Sequence, residues 1–388
     1  MKKTTKDLSL HQFIYVFFLS SMIYNIIFIP SRTIQITGRD LWITMILFHL
    51  LNAVHLVVFY ICEKINPNLT LDQIIQKSLG KAATKVVFVF MTAYTYIRLV
   101  VMLSDYTLYT TDVIFSPIWI PVVIPVILVS VYCVFKGLRS IARMTELLGP
   151  GLVFIMILTM FAIAFTSNIG NIFPVLEKGF KPVLKAFSQY QLFAADYLCL
   201  FCVIGRVKVE KNFGINISIP LIASAFFTII FAVAYYGFYE DISVFQKQGH
   251  SLLDMSQHLL GSENLARFDF ALSIIWMIAI LLRIIIYTWI FYQYINVLFG
   301  LSKKPVHKYI ALSIVSISLY LGFSFFINNL SMVINILFTT ILKNIFIIPL
   351  QLLLPISLPF LTYMASKKEK KIQKNNMLFK KPAEDLKE

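Results

Sequence analysis

The chain is poor in charge. Asp, Glu, Lys and Arg make up 14% of its 388 residues while apolar types make up 59%, and the mean hydropathy of +0.79 excludes a soluble globular chain. Cysteine is scarce too. Cys62, Cys133, Cys199 and Cys202 all fall in or at the ends of apolar runs, where the thiol acts as a small hydrophobe, so no disulfide is expected. Cys199 and Cys202 form one CxxC with no further Cys or His ligand nearby, and helix packing accounts for it better than a metal does. A Walker loop, GxSxG, HExxH and paired His and Cys at ligand spacing are all missing, so the residues indicate neither an enzyme nor a cofactor.

What the chain has in place of these is long apolar runs. Runs near 20 residues give ten expected membrane spans, at 10–29, 41–62, 86–111, 118–136, 149–167, 186–205, 215–236, 268–298, 309–327 and 332–364. The first run has no small-residue cleavage site after it, so it is expected to be a retained helix, with the mature chain beginning at Met1. The reading is an all-α polytopic membrane protein, with a short N-terminus at 1–9, a membrane domain at 10–364 and a basic tail at 365–388. That tail, "SKKEKKIQKNNMLFKKPAEDLKE", reads as a disordered end.

Placing both termini in the cytoplasm leaves seven cations outside: Arg32, Arg39, Lys178, Lys181, Lys185, Lys247 and Arg267. Arg98, Arg283 and Lys343 fall within spans, and the rest of the 34 Lys and Arg residues lie inside, as the positive-inside rule requires. The net charge of +15 thus reflects topology and attraction to anionic lipid headgroups, and no nucleic acid need be invoked. His250 and His258, in the outer segment 237–266, are titratable or simply solvated.

An ionisable group inside a span is costly enough to be a functional hypothesis. Arg98, Asp105 and Asp112 recur at steps of seven in "YTYIRLVVMLSDYTLYTTD", which puts them on nearly one helix face that cannot face lipid. The sixth span carries Ser188, Gln189, Gln191 and Asp196, and the eighth carries Arg283 with Tyr287 one turn on. Arg283 is expected to face the bundle interior, neutralised by Asp196 or Asp105. Two readings stay open, structural ion pairs that fix helix register or a ligand pocket between broken helices. Polar clusters "SSMIYN" at 20–25 and "FAADYL" at 193–198 occupy corresponding positions if 10–167 and 186–327 are two repeats.

"GRDLWI" after the first span, "KGLRSIARMTELLGP" before the fifth and "ARFDFALSIIWMIAILLRIIIYTWIFYQY" across the eighth resemble the matching stretches of the B subunits of spore germinant receptors, the GerAB-like endospore permease family. The resemblance runs from about Leu8 to Met364, and the middle motif, with Gly137, Ala142, Arg143 and Glu146, is its most specific part. It implies membership of the amino acid/polyamine/organocation (APC) superfamily and a LeuT-like fold of ten helices in two inverted five-helix repeats, the span at 332–364 being the tenth. It also implies a membrane-embedded A subunit, a lipoprotein C subunit, the spore inner membrane and a small nutrient, commonly an amino acid. By position, the implied pocket is lined by Met22, Tyr24 and Asn25, Tyr96 and Val100, Ala195, Asp196 and Tyr197, and Tyr287 and Thr288.

Two departures from the family pattern stand out. Neither 10–29 nor 186–204 contains glycine, although transporters of this superfamily usually break these two spans at glycines or small residues, which permit the dihedrals. The family also tends to have lysine where Arg283 stands. "KGLRSIARMTE" is expected to form a cytoplasmic hinge in which Arg143 and Glu146 pair at i,i+3. A germinant sensor, an amino acid transporter and a structural scaffold with a vestigial pocket are the functions left to separate.

Overall fold

The structure is a computed structural model that describes residues 7–114, 118–194, 196–238, 268–301, 305–329 and 347–380. Ala195, His250, His258, Lys247, Arg267 and Lys343 lie outside the described residues, and of Asp196 only the backbone is described. The helices are α1 (Leu10–Ile27), α2 (Ile29–Thr37), α3 (Leu41–Ile65), α4 (Leu71–Leu79), α5 (Lys81–Ile114), α6 (Ile120–Lys136), α7 (Leu138–Thr166) and α8 (Lys181–Ala194). After a 3-10 segment at Asp196–Val203 follow α9 (Phe213–Phe238), α10 (Phe268–Phe299), α11 (Pro305–Asn328) and α12 (Leu354–Lys380). Eight described segments are long and apolar enough to cross a membrane, and Ile120–Lys136 is a shorter apolar helix.

Burial separates centre from rim. The apolar stretches of α1 and α10 are 78% and 72% buried, while those of α7 and α11 are 33% buried. A helix that is apolar all round belongs inside a bundle, and α1 accordingly packs against α7, α9 and α10, while α5 packs against α10 and α11. The rim helices turn large side chains such as Phe154, Phe161 and Phe325 outward, as a hydrocarbon solvent allows.

One expected span is broken and another stops at a break, and neither break needs glycine. The first span was expected to open at 20–25, yet α1 continues through those residues and stops at Phe28, with α2 starting afresh at Ile29. Pro30 is the cause, because it has no N–H to return to the carbonyl one turn back. Ser31 Oγ donates to the Phe28 carbonyl at 3.1 Å and Thr33 Oγ1 to the Ile29 carbonyl at 2.7 Å. The sixth span ends its α-helix at Ala194 and runs on as the 3-10 segment.

The ends of the bundle are tied by polar contacts. Arg39 of "GRDLWI" donates to the Phe173 carbonyl at 2.7 Å and Asp40 accepts from the Leu176 N–H at 2.8 Å, which seats the 169–178 loop. The expected disordered tail is helical as far as Lys380. Lys368 anchors the start of this stretch, donating to the Lys77 and Ser78 carbonyls at the C-terminus of α4, where a cation meets the negative end of the helix dipole. Glu369 pairs with Lys77 at 3.2 Å.

Gly137 separates α6 from α7 at φ +94°, a left-handed conformation that favours glycine. Beyond it the expected Arg143–Glu146 pair gives way to a longer-range one. Glu146 accepts from Gln12 Nε2 at 3.1 Å and lies 2.8 Å from Nδ1 of His11. Gln12 also closes a capping box with Ser9, so one side chain both starts α1 and fastens it to α7.

Candidate functional site

The site is built where the sixth span breaks. The last four carbonyls of a helix have no partner inside it, and in hydrocarbon each must find one from elsewhere. Here side chains from three other elements supply them. Gln351 Nε2 donates to the Gln191 carbonyl at 3.0 Å, and the Tyr94 hydroxyl to that of Leu192 at 3.3 Å. Arg98 Nη2 donates to the Phe193 carbonyl at 2.8 Å, and Asn52 Nδ2 to that of Ala194 at 3.3 Å. Asn52 then bridges the break, because its Oδ1 accepts from the Tyr197 N–H at 3.3 Å.

A second layer fixes these side chains. Gln351 Nε2 also donates to the Tyr94 hydroxyl at 3.0 Å, and the Gln351 carbonyl meets His55 Nε2 at 2.8 Å. Arg98 is 1% exposed, and its guanidinium lies 4.9 Å from the Tyr287 ring centroid. Arg283 approaches the same ring at 5.4 Å and the Tyr24 ring at 4.3 Å. Two buried guanidinium groups thus share one aromatic ring, an attraction to its negative face that strengthens as water is removed.

The carboxylate of the network sits beyond Tyr24. The Tyr24 hydroxyl donates to Asp105 at 2.5 Å, and Arg32 of α2 closes the ion pair with Asp105 while also donating to the Tyr24 hydroxyl at 3.3 Å. Of the two acids expected to neutralise Arg283, Asp105 pairs with Arg32, and the Asp196 side chain lies outside the described residues. Arg32, counted from the sequence among the outer cations, stands on α2, just past the break at Phe28. Asp105 reaches Arg283 through the tyrosine. Of the seven-residue stripe, Arg98 and Asp105 are buried, and Asp112 is exposed near the end of α5.

The residues implied by the resemblance divide. Met22, Tyr24, Asn25, Tyr197, Tyr287 and Thr288 are all buried, and Thr288 spends its hydroxyl on the Ile284 carbonyl at 2.7 Å. Tyr96 and Val100 stand apart, lining a crevice of about 300 Å³ between α5 and α11 with Leu321 and Phe325. The Tyr96 hydroxyl donates to the Ser318 carbonyl at 2.9 Å. The reason is angular: Tyr96 lies two positions from Tyr94 and from Arg98, about 200° away at 3.6 residues per turn.

Sequence reasoning missed Asn52, His55, Tyr94, Gln351 and Arg32. A signal existed for three of them, since "LLNAVHLVV" and "PLQLLLP" each carry a polar side chain in an otherwise apolar run, which lipid would not tolerate. Tyr94 carried no signal that distinguished it from the other tyrosines. The four cysteines are free thiols, Cys199 and Cys202 both buried in the 3-10 segment.

A family profile described as "Spore germination protein" matches residues 7–329. No curated protein matches the chain. Among solved structures, the chain is similar to Mhp1, a nucleobase-cation-symport-1 family transporter in a closed conformation with bromovinylhydantoin bound. The TM-score is 0.60 at 10% identity, covering 86% of this chain and 76% of that one. At that identity the likeness shows the fold, an all-helical, LeuT-like transporter architecture.

Proposed function

The chain belongs to the spore germination protein family, and on that premise we propose that it is the nutrient-sensing subunit of a spore germinant receptor, binding a small nutrient such as an amino acid at the centre of the bundle. The observation that carries this reading is the pair of buried guanidinium groups, Arg98 and Arg283, gathered around Tyr287 beside the broken sixth span. A carboxylate is the complement of a guanidinium, and desolvation makes that attraction strong. Met22, Tyr24, Asn25, Ala195, Asp196, Tyr197 and Thr288 complete the proposed pocket, and in this reading Tyr96 and Val100 do not reach the ligand.

The protein then works in the spore inner membrane with both termini in the cytoplasm, alongside a membrane-embedded A subunit and a lipoprotein C subunit. Binding shifts the equilibrium between closed and open arrangements of the broken helices, and only a ligand that favours one state can do so. A secondary amino acid transporter is the second reading, favoured by the likeness to a transporter fold.

Spores that carry this subunit with its A and C partners and no other receptor would be tested against amino acids, sugars and nucleosides. A response to one nutrient that shifts in Asn25→Ala or Tyr287→Phe, with Tyr96→Phe unchanged, supports the sensor. Failure of every nutrient in an assembled complex, together with uptake of labelled amino acid into proteoliposomes, would favour the transporter.

A further inference from the structure

A polar cavity of about 370 Å³ lies at the end of the bundle where the N-terminus meets Gly137. Its walls carry Lys136, Arg139, Arg206 and Lys308 against the single acid Asp7, an excess of three positive charges within one pocket. Those four cations come from the end of α6, the start of α7, the chain beyond the 3-10 segment and the first turn of α11. A general excess of basic residues at one membrane face explains their number. It does not explain their convergence on one concavity.

Lys308 already donates to the Phe135 carbonyl at 2.7 Å, and the acid in the pocket lies nearest the two arginines. Asp7 stands 3.6 Å from Arg206 Nη1 and 3.9 Å from Arg139 Nε, beyond the 2.7–2.9 Å or so of a charge-assisted hydrogen bond. Arg206 is held from behind, its guanidinium 5.5 Å from the Trp289 ring centroid and its Nη2 donating to Gln293 at 3.2 Å. Its Nε is buried with no hydrogen-bond partner, a donor whose desolvation is unrepaid. The start of α7 adds to the field, with no acidic residue in its first turn and open space above Gly137.

We propose that this pocket binds a phosphate-bearing anion, with Arg206 and Arg139 as its principal ligands and Asp7 as the group that the phosphate displaces. A phosphate offers several charged acceptors around one centre, which suits cations arriving from different sides better than a single flat carboxylate does. Displacing Asp7 has a consequence in the backbone. The N-terminal segment is joined to the chain beyond the 3-10 segment by a bridge between Leu8 and Val207 and by the Asp7 N–H donating to the Arg206 carbonyl at 2.9 Å. Occupancy of the pocket therefore bears on how firmly the N-terminus is held.

The full chain in phosphatidylcholine nanodiscs tests this, with thermal stability read at constant ionic strength. One arm replaces part of the lipid with phosphatidylglycerol, and the other adds glycerol 3-phosphate. Stabilisation in the first arm alone identifies a lipid headgroup, and stabilisation in the second identifies a soluble phosphate. In either case Arg206→Gln and Arg139→Gln should need about tenfold more anion for the same shift, the loss of one charge-assisted contact, and Asp7→Asn several-fold less. Arg206 also holds Gln293, so Arg139→Gln, at a more exposed position, keeps the test valid if Arg206→Gln fails to fold. The proposal is overturned if neither anion stabilises beyond chloride, or if the variants respond as the parent does.

Discussion

The Arg283 guanidinium lies 4.3 Å from the centroid of the Tyr24 ring, and the hydroxyl of that ring donates to Asp105. One tyrosine thus serves a cation with its face and an anion with its edge. Tyr24→Phe keeps the face and loses the hydrogen bond, with an expected cost of about 1.5 to 3 kcal/mol for a buried bond to a charged group. Tyr24→Leu loses both and should melt lower still. Equal melting temperatures for the two variants would mean that the ring face contributes nothing.

Arg32 and Asp105 form an ion pair whose carboxylate is 5% exposed and whose guanidinium is 31% exposed. Removing Arg32 strands a buried carboxylate, which costs about 3 kcal/mol, whereas removing Asp105 leaves a partly exposed guanidinium and costs less. Asp105→Asn and Arg32→Gln should each lower the melting temperature, and the double variant should lose less than the sum. Strict additivity in that cycle would show that the two side chains are not coupled.

The glycine-free break rests on borrowed donors. Asn52→Ala orphans both the Ala194 carbonyl and the Tyr197 N–H, and Gln351→Ala orphans the Gln191 carbonyl. Each buried orphan costs about 1 to 3 kcal/mol, so Asn52→Ala should be the worse of the two in thermal melts of the purified protein. Asn52→Asp, which retains an acceptor for Tyr197 but not the donor, should not restore stability.

Glu146 is fastened to His11 and Gln12, not to Arg143. Arg143→Ala is expected to change stability by less than about 0.5 kcal/mol, the usual size for a surface substitution. Gln12→Ala removes a cap as well as the cross-helix bond, and should cost about 1 kcal/mol. If Arg143→Ala proved the more damaging in the same assay, the helix-internal pair would be the operative one.

Much of the fold was legible because lipid is an undemanding solvent to read. An apolar run long enough to span can hardly be anything else, and so the positions of α3, α5, α9, α10 and α11 follow from the sequence with ends a few residues off. The breaks were harder. Glycine is the usual signal for an unwound span, and its absence here hid the fact that Pro30 ends the first helix and that Asn52, Arg98, Tyr94 and Gln351 support the break in the sixth span. Helical spacing correctly put Arg98 and Asp105 on a buried face of α5 and, by the same geometry, should have set Tyr96 and Val100 apart from it.

The sequence by itself determined that this is a membrane bundle, that Arg98, Arg283 and Asp105 lie inside it, and which residues share a helix face, because these follow from hydropathy and from 3.6 residues per turn. Only the tertiary structure decided partnership. Glu146 had a neighbour of opposite charge three residues away and bonded across 135 residues instead, and Asp105 took Arg32 across 73. Helix periodicity fixes the direction of a side chain, but what stands opposite is set by how helices pack and where they break, which no local pattern contains.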